Sequence, residues 1–163
     1  MKDEDGFSSF VRDHGSALLR TSRMLVRETA DAEDVLQTAL LRLSRRWPVE
    51  HPQAYMRRTL VNLTRDRHRR RHLVPTPYEG LEHTSSILPD LADAHAAQAA
   101  LEHLLQSLPA KQRAAVVLRV LEGLSEAETA RALGCSPGTV GSNLSRGLSR
   151  LRSVLPEGVS REF

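Results

Sequence analysis

A chain of 163 residues with 23 Lys+Arg, 20 Asp+Glu and 4% aromatics has room for one domain or two small ones, and none for a large open α/β sheet or a barrel around a deep cavity. No apolar stretch approaches the roughly 20 residues of a membrane-spanning helix, and the acidic start MKDEDGFSSF lacks the apolar run of a secretory signal. Cys135 is the one cysteine, which excludes an internal disulfide framework and a multi-cysteine metal site, so a soluble protein with a cytoplasmic location is expected.

The predicted elements are all helical. Phe7, Phe10, Val11, Leu18, Leu19 and Leu25 recur at mostly helical intervals and predict a helix over residues 6–28. Ala32, Val35, Leu36, Ala39, Leu40, Leu43 and Trp47 then follow the i, i+3, i+4, i+7 rule, with Asp31 expected as N-cap and Pro48 as the stop. A third helix opens near Pro52, runs to about His72, and turns Met56, Leu60 and Leu63 to a core, with its arginines largely on the other sides.

Between Leu73 and Asp93 the pattern breaks at Pro75, Pro77, Gly80 and Pro89 and in the polar run His83-Thr84-Ser85-Ser86. Some twenty structureless residues do not belong inside a compact domain, so the chain divides there. The second half predicts helices over 94–107, 110–122, 126–133 and 137–153. The expected fold class is all-α, with two small helical domains (1–72 and 94–156) joined by a flexible linker (73–93) and followed by a tail (157–163).

The net charge of +3 conceals a segregation of sign. Residues 1–34 carry 5 basic and 8 acidic groups, whereas residues 42–72 carry 10 arginines against Glu50 and Asp66. Residues 73–110 hold five carboxylates and no Lys or Arg, and residues 111–163 return to 8 basic against 5 acidic. A solvated surface mixes its signs; blocks of this kind suit one face to a polyanion and another to a different partner.

The densest motif runs from Leu124 to Val140. Ser125 with Glu128 has the spacing of a capping box, Gly134 can take the positive φ that ends a helix, and Ser136 followed by Pro137 starts the next. Ala130, Leu133, Val140 and Leu144 would form the small core between the two helices. Two short helices on so tight a turn predict a helix-turn-helix, whose second helix enters the DNA major groove and would present Ser136, Thr139, Ser142, Asn143 and Arg146. Asn can bond adenine and Arg guanine in bidentate fashion, which gives this face the chemistry of base readout.

These blocks resemble a known family. Leu108-Pro109-Ala110-Lys111-Gln112-Arg113 followed by Leu124 to Arg152 is similar to region 4 of the extracytoplasmic-function (group IV) RNA polymerase sigma factors. Asp31-Ala32-Glu33-Asp34-Val35-Leu36-Gln37-Thr38-Ala39-Leu40 resembles the core-binding helix of their region 2, and Pro52 through Asn62 to Arg71 resembles their −10 and melting segment. Gln37-Thr38 and Ser125-Glu126-Ala127-Glu128-Thr129-Ala130 look most like an actinobacterial subgroup.

The resemblance implies a subunit that binds core RNA polymerase and directs promoter recognition, melting and initiation. It places Asp34, Gln37, Thr38 and Leu41 on the core-docking surface, although Thr38 stands where the wider family often carries Glu. It places Tyr55, Arg57, Arg58, Asn62, Arg65, Arg69 and Arg70 on the −10 surface, with Asn62 and the loop from Val49 to Gln53 lining a pocket for a flipped base. Tyr55 either stacks on a base there or fills the core. The groove face Ser136, Thr139, Ser142, Asn143 and Arg146 becomes the −35 reader, with Gly141 where the family commonly has a basic residue. The acidic linker becomes either a thread through the polymerase's RNA channel or a plain tether, and an anti-sigma factor becomes a possible partner.

No nucleophile–base pair, paired acid or glycine-rich phosphate loop suggests catalysis, and no cofactor is implied. His68 and His72 have i, i+4 metal spacing but lie among arginines that repel a cation, so no metal is expected. The alternative function is a stand-alone helix-turn-helix repressor or activator. Such a protein needs a dimer or ligand domain in its first half rather than an acidic helix followed by an arginine block. An interaction module with no DNA role leaves the segregated arginines without a purpose.

Overall fold

The computed structural model describes residues 3–73 and 94–155, and every regular element among them is helical. The first half is α1 (Glu4–Leu25), α2 (Ala32–Arg46) and α3 (Pro52–Leu73); the second is α4 (Ala94–Gln106), α5 (Ala110–Val116), α6 (Glu126–Leu133) and α7 (Pro137–Val154). Helix α5 runs on into a wider π-type turn over Val117–Leu121, so the helix expected over 110–122 is present with its last turn loosened. The linker expected over 73–93 lies, apart from Leu73, outside the described residues.

In the first half, α2 packs on both α1 and α3. The stripe read from the sequence is the core: Ala32, Val35, Leu36, Ala39 and Leu43 are buried, facing Met56 and Leu60 of α3 and Phe10, Leu18 and Leu25 of α1. Leu40, Trp47, Tyr55 and Leu63 are partly buried against the same core, and Trp47 meets Phe7 edge-on with ring centroids 5.6 Å apart. Removing this apolar area from water, worth about 25 cal/mol per Å², is what holds three short helices together.

Asp31 does not act as the expected cap. It sits in a helical conformation at the end of a 3₁₀ turn (Thr29–Asp31), and its side chain makes no cap hydrogen bond. Its carboxylate instead accepts from Arg67 Nη1 at 2.7 Å and from Arg71. Arg67 and Arg71, from the far end of α3, bring full positive charges to this carboxylate, where a backbone N–H brings only a partial one.

The second half follows its local signals closely. Ser125 accepts from the Glu128 N–H at 3.1 Å while the Glu128 carboxylate accepts from the Ser125 N–H at 2.8 Å, so both arms of the capping box are made. Gly134 ends α6 at φ +65°, and Ser136 caps α7 with Pro137 in its first turn. Ala130, Leu133 and Val140 are buried between the two helices, and Leu144 packs beside them. Helix α5 crosses α7 at Gly147, where an added Cβ would lie 2.9 Å from Val116 Cγ2 and 3.4 Å from the Gln112 carbonyl oxygen. That close approach explains a glycine that costs helix stability in isolation.

Candidate nucleic-acid and polymerase interfaces

On α2, the buried stripe leaves Asp34, Gln37, Thr38 and Leu41 on the opposite side, one above another at i, i+3, i+4 and i+7. Leu41 is 59% exposed, an unusual position for so large an apolar side chain. The Thr38 hydroxyl donates to the Asp34 carbonyl at 2.8 Å, so its proton is used within the helix. Asp34 is exposed and its carboxylate is ion-paired with Arg67.

The arginine block of α3 separates into three groups. Arg58, Asn62 and Arg69 are exposed at i, i+4 and i+11, with Arg70 exposed beside them, and none of the three arginines is ion-paired among the described residues. Arg67 and Arg71 turn the other way and bind the acidic start of α2: Arg67 holds Asp31 and Asp34, and Arg71 holds Asp31 and Glu28, the last at 2.7 Å. Arg57 and Arg65 point at the second half. Tyr55 is half-buried against the core, which favours the packing role over base stacking. At the corner before α3, Gln53 Nε2 lies 3.3 Å from the His14 ring nitrogens, and Val49 is half-buried.

On α7, Ser136, Thr139, Ser142 and Arg146 are exposed on the outer face, and Asn143 is half-exposed. The Ser136 hydroxyl accepts from the Thr139 N–H at 3.2 Å and is thereby committed to capping. Asn143 Nδ2 donates to the Thr139 carbonyl at 3.0 Å, a bond that a bidentate contact with adenine must replace. A Cβ at Gly141 would meet nothing within 4 Å. Behind this face, Arg146, Arg150, Ser145, Ser149 and Ser153 border a shallow polar groove of about 460 Å³ against Gln112.

Polar side chains also join the two halves, and the sequence signalled none of them as a contact between halves. Glu122, after the π-type turn, accepts from the Thr21 hydroxyl and faces Arg57 Nε at 3.4 Å. Arg65 Nη2 donates to the Leu133 carbonyl at 2.7 Å. Arg113 is 5% exposed and donates to three carbonyl oxygens, Leu105 and Leu108 in its own half and Leu25 across the boundary, at 2.8–3.0 Å. Burial, with Arg27 nearby, lowers its pKa to about 10. No local spacing signals such contacts; a glutamate closing an apolar helix was the faint sign at Glu122.

Family models agree with this division. Sigma-70 region 2 matches residues 10–73 and Sigma-70 region 4 matches residues 98–151. The RNA polymerase sigma-E factor of Streptomyces coelicolor is 44% identical over 153 residues, spanning 91% of this chain and 85% of the relative. The chain belongs to the ECF family of RNA polymerase sigma factors.

The ECF sigma factor SigM of Mycobacterium tuberculosis is 36% identical over 94% of this chain and 79% of its own length. Among solved structures, the sigma factor RpoE of Bartonella quintana, crystallised with the anti-sigma factor NepR, matches with a TM-score of 0.71 and 25% identity over 91% of this chain and 95% of that one. The family assignment makes this chain a sigma factor that binds core RNA polymerase and directs initiation at promoter DNA. Region 2 corresponds to α1–α3 and region 4 to α4–α7 with the helix-turn-helix. A region 2 match accounts for the first half of the chain, for which the repressor alternative had no role, so that alternative is not favoured. Among the described residues, no group of three His, Cys, Asp or Glu could hold a metal; the His72 side chain lies outside them. No described helix is long and apolar enough to cross a membrane.

Proposed function

We propose that this sigma factor docks on core polymerase through Asp34, Gln37, Thr38 and Leu41 of α2 and grips −10 DNA through α3. In α3, Arg58, Asn62, Arg69 and Arg70 form the open part of that surface, and Arg57 and Arg65 join it on the side facing α6. Tyr55 backs the Asn62 pocket from the core side. Helix α7 reads the −35 duplex with Ser142, Asn143 and Arg146, while Ser136 and Thr139 hold its start. The protein has no catalytic chemistry of its own and works in the cytoplasm, as two domains over 1–72 and 94–156 tethered by 73–93. An anti-sigma factor is a further proposed partner, supported by the RpoE–NepR relative.

The observation that carries this reading is the row of exposed arginines, none ion-paired among the described residues, and one asparagine along the outer side of α3, flanked by an exposed leucine on α2. Guanidinium groups supply salt-sensitive phosphate affinity, and one amide among them supplies selectivity. Run-off transcription with core polymerase on a library of −10 variants tests it. Asn62→Ala is expected to lose discrimination at one −10 position, and Arg58→Ala to weaken all promoters alike. If Asn62→Ala opened the variants in the wild-type order, the pocket assignment would be wrong. Co-purification from the native host tests the anti-sigma partner; repeated recovery with polymerase alone would reject it.

A further inference from the structure

The loop that leads into α3 is tied to α1 at both of its ends. At its start, Trp47 meets Phe7 with ring centroids 5.6 Å apart and Phe10 at 5.8 Å. Trp47 Nε1 is buried with no hydrogen-bond partner among the described residues, so the indole is placed by ring packing and not by a polar contact. At its finish, Gln53 lies against His14, whose ring is tilted on that of Phe10 with centroids 4.9 Å apart. Phe7, Phe10 and His14 follow one another at i, i+3 and i+7, so one face of α1 is the bed for the whole loop. The Gln53 amide has a single orientation on that bed. Arg57 Nη2 can only donate, and Gln53 Oε1 accepts from it at 3.4 Å. The amide nitrogen then faces His14, 3.3 Å from each ring nitrogen, one of which carries a lone pair in the neutral imidazole.

We propose that His14 is a positioning residue for −10 recognition: it holds the Gln53 amide in the orientation that meets the flipped base. The inference rests on the reading of the Val49 to Gln53 loop and Asn62 as the pocket of that base. A primary amide carries two N–H donors and one carbonyl. With one N–H spent on His14, the second is left for an acceptor atom on a base. A glutamine free in solvent samples many rotamers and both orientations of its amide, and binding must then select one of them. Here the selection is made before DNA arrives, by an imidazole on a helix that carries none of the proposed DNA contacts. Local spacing gives no sign of it, because His14 and Gln53 stand 39 positions apart.

The test is run-off transcription by the full-length protein with core polymerase on a library of −10 variants, read beside the melting temperature. His14→Phe keeps a ring on Phe10 and removes both nitrogens, His14→Gln returns an acceptor, and Gln53→Ala removes the amide. Gln53→Ala and His14→Phe are each expected to lower discrimination at one and the same −10 position by about fivefold, with an unchanged melting temperature. His14→Phe should add nothing in the Gln53→Ala background, since residues that act through one contact are not additive. His14→Gln should keep most of the selectivity. Wild-type selectivity in His14→Phe, with Gln53→Ala impaired, would overturn the positioning role and leave the pocket standing. Wild-type selectivity in Gln53→Ala would remove the pocket reading itself, and the proposal with it. Fully additive losses would separate His14 from Gln53 and overturn the proposal, and so would a loss in His14→Gln equal to that of His14→Phe. Losses that track a lowered melting temperature would make the role structural and reject it as well.

Discussion

Arg113 carries its charge into a space bounded by backbone carbonyls of Leu25, Leu105 and Leu108, and among the described residues no carboxylate is ion-paired with it. Desolvation favours the neutral form, and Arg27 adds repulsion; the pKa falls to about 10, so the group is still charged at neutral pH. A base with a lowered folded pKa costs stability below that value, and the cost fades as pH rises through it. What repays the cost is geometry, since a planar fork reaches three acceptors that an ammonium cannot. Arg113→Lys is therefore expected to lose about 2 kcal/mol, read from the urea midpoint, although the charge is kept. The two glycines of α7 should diverge for a similarly local reason. Gly141→Ala, facing open space, should stabilise by about 0.5–1 kcal/mol through helix propensity. Gly147→Ala, pressed on Val116 and Gln112, should destabilise by about 1 kcal/mol. Thermal melts that moved both in one direction would refute this distinction. Nothing local in the sequence separates the two glycines, because crowding from α5 is invisible along α7 itself.

At the scale of elements, what was legible was what is local. Helix periodicity placed the stripes of α2 and α3. The caps at Ser125, Gly134 and Ser136 fell where their spacing put them, because each closes within a few residues. Asp31 failed as a cap for the converse reason: its partners, Arg67 and Arg71, stand about forty positions away, and nothing in a window of one helix reports them. The capping box also sets a pH signature. The Ser125 backbone N–H first, and its side chain next, hold the Glu128 carboxyl below its ordinary value. A depressed carboxyl pKa gives stability that is present above the unfolded value and is lost as pH falls through the folded one. Glu128→Gln should flatten the acid limb of a pH–melting curve while changing it little at neutral pH; an acid limb as steep as the wild type would count against the box as its source. The outward row Asp34, Gln37, Thr38 and Leu41 of α2 was likewise legible as a row; as the proposed docking surface, it predicts that Leu41→Ala weakens core binding in a pull-down titration without lowering the melting temperature.

For the whole molecule, the sequence announced two halves and was silent on how they meet. Charge blocks and the proline-broken segment divide the chain, but the Glu122, Arg65 and Arg113 contacts join residues tens of positions apart with no repeating pattern. The site itself was legible only as residue type: seven arginines between Arg57 and Arg71 were visible, and their sorting into solvent-facing, α2-facing and α6-facing groups was not. The Glu122 carboxylate is held by Thr21 of α1 and Arg57 of α3, not by α2, so Glu122→Ala should change core affinity by less than about twofold, or 0.4 kcal/mol. A surface-immobilised core titration decides this, and a large change would count against the proposed docking row on α2.

Arg57 and Arg65 are engaged by Glu122 and by the C-terminal carbonyl of α6, while Ser142 and Arg146 on the outer side of α7 stand in solvent. A polyanion approaching this conformation therefore meets α7 with its outer side chains free and α3 with only part of its basic row.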